Sequence, residues 1–238
     1  IVITCSRFME EERRRAWIAI LLIAPIPSLN LLFSQFSGDG ALAQAVFVLS
    51  KILLLAIPLW WYLKLEGNPI SWSRPTQGGW GVATALGLGM GGVILAAWFI
   101  IGVRVIDVEE IRTSWGMFGM TDWRILLAAC LYWIFLNSVL EEFVFRWFIT
   151  TRAETVVGDS GMAKPILLSA TVFTIHHIVV LALSVVWWVV VLGTTAIFVS
   201  GLLFSWLYLR YRSVWVVWLC HAIADVGLFI VIAIIMLG

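Results

Sequence analysis

Charge is scarce in this 238-residue chain: Asp, Glu, Lys and Arg together make up 12% of it, against 62% hydrophobic residues. A soluble domain carries about 25% charged and about 45–50% apolar residues. That balance, with a mean hydropathy of +1.03, excludes an ordinary water-soluble fold. An all-α, polytopic bundle of transmembrane helices is expected instead. With a formal net charge of +1 and no basic patch free to follow a phosphate backbone, no nucleic-acid partner is expected. Only three cysteines occur, Cys5, Cys130 and Cys220, with neither a CxxC pair nor metal-ligand spacing. They read as small buried hydrophobes rather than a disulfide or a nucleophile. An HExxH zinc pattern is lacking, as are internal repeats, and no cleavable signal peptide is expected. The glycines Gly87, Gly89, Gly91 and Gly92 are not a phosphate loop, because no strand precedes them and no basic residue follows nearby. They read as small residues that let helices approach closely in lipid.

Long apolar runs are abundant, and fifteen tryptophans suit well-populated membrane interfaces. Runs of the roughly 20 residues that cross a bilayer occupy 16–36, 41–63, 80–105, 123–149, 165–183, 185–209 and 214–237. Pro25 and Pro27 predict a kink in the first. Residues 165–209 are too long for one span and divide near Ser184. The connections are 1–15 (short and charged), 37–40, 64–79, 104–122 and 152–164. Of these, 104–122 alternates apolar and acidic residues, as an interfacial segment does. Lys51 reads as a snorkelling or interior-facing lysine. A single integral-membrane domain is expected over 1–238: N-terminal helices of unassigned role over 1–120, and a catalytic core over 121–238.

Basic residues orient the bundle. With a cytoplasmic N-terminus, Arg7, Arg13, Arg14, Arg15, Lys64, Arg74, Arg152, Lys164, Arg210 and Arg212 fall on the cytoplasmic side, and only Arg104, Arg112 and Arg124 on the other. This fits the positive-inside rule.

Ionisable residues inside apolar runs are costly and mark functional sites. The fourth run holds Glu141, Glu142 and Arg146; the fifth holds His176 and His177; the last holds His221 and Asp225. Counted from the cytoplasmic ends, Glu141 lies about 14 Å deep, His177 about 18 Å and His221 about 10 Å, with Asp225 one turn deeper. Glu142 and Arg146 have the spacing and order of a helical ion pair, so they read as a clamp or as orienting groups. Glu141 faces elsewhere, on the face of Asn137, and suits a general base acting on water. His221 and Asp225 share a helix face, where the carboxylate fixes the imidazole tautomer, or both hold water or a metal.

These residues read Glu141-Glu142-Phe143-Val144-Phe145-Arg146, Phe173-Thr174-Ile175-His176-His177 and His221-Ala222-Ile223-Ala224-Asp225. They resemble the EExxxR, FxxxH and HxxxN/D motifs of the CPBP family, the CAAX-processing and bacteriocin-processing intramembrane endopeptidases also called the Abi family. The stretch 201–210 also resembles the helix that precedes the last motif. The resemblance covers the C-terminal half; residues 1–120 carry none of it. It selects His177 over His176. It implies that Glu141 activates the attacking water with help from His177, and that His221 and Asp225 polarise the scissile carbonyl and stabilise the oxyanion. Asparagine is common at the last position, and aspartate donates there only when protonated. The family has been described both as metalloproteases and as glutamic-type proteases. A metal-free glutamate mechanism is preferred; Glu141, His177, His221 and Asp225 would otherwise ligate zinc or another divalent metal. The expected partners are the lipid bilayer and a membrane-embedded or lipidated protein or peptide, and the expected location is a bacterial inner membrane. Two other readings stand beside this one. A non-catalytic immunity or scaffold protein would keep the same fold. A proton-coupled transporter would also place Glu, His and Asp in the membrane, but usually with repeated halves and paired broken helices.

Overall fold

Seven helices long and apolar enough to span a membrane occur among the described residues of the computed structural model: 2–37, 40–183 and 185–238, with side chains from Met9 onward. They are α1 (Met9–Ser37), α2 (Ala41–Leu65), α3 (Trp80–Val105), α5 (Trp123–Val157), α6 (Ala163–Ala182), α7 (Trp187–Tyr211) and α8 (Val214–Leu237). The shorter α4 (Val108–Gly116) lies in the 104–122 connection. The described residues form no strand. Leu21, Val93, Phe99 and Ile175 are exposed in mid-helix, a surface suited to hydrocarbon rather than water. The protein is an integral, multi-pass membrane protein.

Two boundaries differ from the hydropathy reading. The charged segment 1–15 is already helical from Val2, and residues 152–157, expected as part of the loop 152–164, continue α5 within helix Thr151–Val157. Apolarity marks where a helix enters lipid, whereas backbone hydrogen bonds carry it beyond the hydrocarbon. The division near Ser184, the tip of the 37–40 loop and the side chains of Cys5 and Arg7 lie outside the described residues. Cys130 is a half-buried thiol and Cys220 is fully buried. A turn at residues 24–25 separates helix Val2–Ile23 from Ile26–Ser37, at the expected kink.

The chain divides into two units, 1–74 with 143–212, and 75–142 with 213–238. In the first, Ile20, Ile23, Trp61, Phe145, Phe148, Ile149 and Phe173 belong to one apolar core. A polar knot ties α5, α6 and α7 together inside it. Thr150 Oγ1 donates to the Phe145 carbonyl at 2.8 Å and lies 2.7 Å from Ser169 Oγ; Ser205 Oγ donates to Ser169 Oγ at 3.2 Å. Such hydroxyls are glue where the surroundings offer no water. Beyond the end of α7, Arg212 closes the helix in the left-handed region at φ 49°. Its guanidinium grips Glu154 through two bonds of 2.7 Å, and that carboxylate holds Arg212 above its ordinary pKa.

The second unit is built on α3 against α8. A Cβ on Gly87 would stand 2.7 Å from the Cys220 carbonyl oxygen, and one on Gly227 would stand 2.6 Å from Gly91 Cα. Only glycine permits this approach, so part of the glycine run in α3 is a helix contact. Trp98, Leu126, Val231, Ile235 and Met236 fill the core beside it. Asp107 caps α4 through the amides of Glu109 and Glu110, and Arg112 Nε donates to the Ile235 carbonyl near the end of α8.

Candidate active site

Helix α5 is not uniformly α. Its residues Tyr132–Asn137 and Phe143–Thr150 are π-helical, and Ser138–Glu142 between them is α. Single-turn π insertions concentrate at functional sites because they re-aim side chains. Here they flank the two glutamates.

In the second unit, α5 and α8 bring four ionisable side chains together. The His221 Nδ1–H donates to Glu142 Oε1 at 2.7 Å, because an ionised carboxylate only accepts. Nε2 lies 3.6 Å from Asp225 Oδ1 and 4.0 Å from Glu141 Oε2. Glu141 Oε1 in turn accepts from Asn137 Nδ2 at 2.6 Å. Burial separates the two glutamates. Glu142 is fully enclosed, whereas the side chains of Glu141 and Asp225 are each 20% exposed. Glu142 holds the ring from a buried position, and Glu141 and Asp225 keep part of their carboxylates accessible. The 4.0 Å separation is beyond a direct hydrogen bond, and a single water bridges such a gap.

Within the second unit Glu142 serves His221. Arg146 belongs to the first unit and lies on the π-helical stretch Phe143–Thr150. Its guanidinium sits over Phe173 at 4.2 Å and Phe204 at 5.1 Å, an aromatic cradle that suits a buried cation. His177 is also in the first unit. Its Nδ1 lies 2.9 Å from the Phe173 carbonyl oxygen, which fixes Nδ1 as donor and Nε2 as acceptor. His177 is half-buried, while His176 is buried and stacks on Phe145 at 5.3 Å. The FxxxH spacing is therefore physical: one turn places the Phe173 carbonyl under the His177 ring.

Two members of the site were missed in the sequence. Trp218 Nε1 donates to Ser138 Oγ at 3.1 Å, and Ser138 Oγ donates to the Ile134 carbonyl. Ser138 is one turn before Glu142, and Trp218 is three residues before His221. Helical spacing from the two motif residues would have found both. Among the described residues, no three His, Cys, Asp or Glu side chains are arranged as ligands of one metal ion.

Residues 123–227 match a family model described as type II CAAX prenyl endopeptidase Rce1-like. The match spans all three motifs. No curated protein and no solved structure matches the chain.

Proposed function

We propose that this chain, whose residues 123–227 match the model of the Rce1-like type II CAAX prenyl endopeptidases, is an intramembrane endopeptidase that uses a glutamate-activated water. One observation carries the reading: a buried carboxylate, Glu142, fixes His221 so that its Nε2 meets the partly exposed Glu141 and Asp225 at 4.0 and 3.6 Å.

Glu141 takes a proton from the attacking water, whose oxygen bonds to the scissile carbonyl carbon. Asn137 keeps the Glu141 carboxylate in its rotamer. The tetrahedral oxyanion is met by donors preorganised on α8: a protonated Asp225, and His221 once it carries a second proton. Collapse breaks the C–N bond, and the proton held by Glu141 passes to the leaving amine. His177 assists water activation; that role rests on its motif and its fixed tautomer. In the alternative form, Glu141, His177, His221 and Asp225 would supply the ligands of zinc or another divalent ion, which would contribute Lewis-acid activation of water. Chelator sensitivity separates the two forms.

The substrate class is a membrane-embedded or lipid-anchored protein or peptide. A prenylated CAAX protein, a bacteriocin leader, a peptide pheromone and a C-terminal sorting tail all fit it. The orientation that fits the basic residues puts the N-terminus in the cytoplasm of a bacterial cell, with the site reached from that side. The test is cleavage of a membrane-peptide library by the purified full chain in detergent, with and without chelator. Specific cleavage supports the reading; none from a folded protein would favour the immunity, scaffold or transporter alternatives.

A further inference from the structure

A cavity of about 620 Å³ opens where the start of α1, the end of α2 and the end of α5 meet, wholly within the first unit. Nothing in the hydrolytic chemistry uses it. Its charges are mixed: Arg152 and Glu66 line it, with Arg15 and Glu12.

The two inner charges are unequally committed. Glu66 is satisfied at both oxygens, Oε1 by Arg152 and Oε2 by Asn68 Nδ2 at 3.0 Å. Arg152, only 4% exposed, spends one Nη on Glu66 and stacks on Phe148 at 4.3 Å; its Nε is buried with no hydrogen-bond partner among the described residues. Buried guanidinium donors are rarely left over. The Nε has no exposed surface, so the donor that Arg152 offers an anion at the inner end of the cavity is its second Nη, the one not spent on Glu66. The outer end is different. Glu12 and Arg15 are exposed, and Arg15 Nε is already held by Glu11 at 3.1 Å. An ammonium reaching Glu12 would find a carboxylate there. Between them, Trp61 and Leu65 supply apolar wall, and Leu65 is itself exposed on the outside of the bundle.

We propose that this cavity holds the zwitterionic headgroup of a phospholipid with a primary amine, phosphoethanolamine on diacylglycerol, with its phosphate toward Arg152 and Arg15 and its ammonium toward Glu12. A purely anionic headgroup would meet Glu12 without compensation. A quaternary ammonium headgroup has no N–H to give that carboxylate. The cavity lies where spanning helices change from apolar to charged sequence, the level of lipid phosphates, so the acyl chains continue along the lipid-facing surface.

Native mass spectrometry of the full chain in detergent tests this, with phosphatidylethanolamine, phosphatidylcholine and phosphatidylglycerol of identical acyl chains. The ethanolamine lipid is expected to be retained about tenfold more strongly than either other, the worth of one charge-assisted bond. The exposed substitutions Glu12→Gln and Arg15→Gln leave the fold untouched. Glu12→Gln should bring the ethanolamine lipid down to the choline level, and Arg15→Gln should weaken both. Arg152→Gln is made together with Glu66→Gln, so that no buried charge is left alone, and should abolish retention in a protein whose melting temperature is kept. Equal retention of the three lipids, or wild-type retention in all variants, overturns the proposal. Displacement of the lipid by soluble phosphoethanolamine or inorganic phosphate at equal concentration overturns the lipid assignment.

Discussion

Glu142 Oε1 accepts a hydrogen bond from His221 Nδ1 at 2.7 Å, across 79 residues of sequence. The carboxylate is fully buried, so it acts on a reactant through the ring it holds rather than by contact. Glu142→Gln keeps the shape but offers an amide, which no longer dictates which ring nitrogen carries the proton. Cleavage is expected to fall about 10–100-fold, the usual cost of losing such an orienting partner. A steady-state assay should show the loss in kcat with KM nearly unchanged.

Asp225 distinguishes a donor from an ionised ligand. If it donates to the oxyanion, Asp225→Asn keeps a donor and should retain activity within about tenfold of wild type, while Asp225→Ala should lose about 10²–10³. A metal ligand role gives the reverse ordering for the amide, with loss of bound metal by elemental analysis.

The α3–α8 contact depends on glycine. Gly227→Ala would force a Cβ to within 2.6 Å of Gly91 Cα, which is backbone and cannot turn aside. Destabilisation of about 1–3 kcal/mol is expected, seen as a lower melting temperature in detergent. Gly89→Ala, with nothing within 4 Å of its Cβ, should leave the melting temperature unchanged or raise it.

Ser169 is the centre of the hydroxyl knot, touching Thr150, Ser205 and the Phe145 carbonyl. Ser169→Ala should cost about 0.6–1.7 kcal/mol, the measured range for interhelical hydrogen bonds in lipid. A double-mutant cycle with Ser205→Ala should then show coupling, since the Ser205 hydroxyl has lost its acceptor.

The spans were legible because a bilayer-length apolar run is its own signal. Five of the seven helices begin and end within two residues of the runs, and the polar tails of α1 and α5 were not legible because charge says nothing against a helix that has left the lipid. The π-helical stretches of α5 carry no periodicity that residues 132–150 display. Spacing along α5 alone gave no hint that Glu142 meets His221, a contact that packing of α8 on α5 supplies. Asn137 beside Glu141, and Asp225 one turn from His221, were readable because each pair is four residues apart and meets across one turn. Trp218 and Ser138 obey it too.

The most direct test of the central claim is cleavage by Glu141→Gln, in parallel with His177→Ala and wild type, on one membrane-anchored substrate. Glu141→Gln preserves the Asn137 contact in shape and removes only the base. Loss of detectable cleavage, at wild-type expression and melting temperature, is the expected result. Cleavage at the wild-type rate by Glu141→Gln would contradict the assignment of Glu141 as the group that activates water.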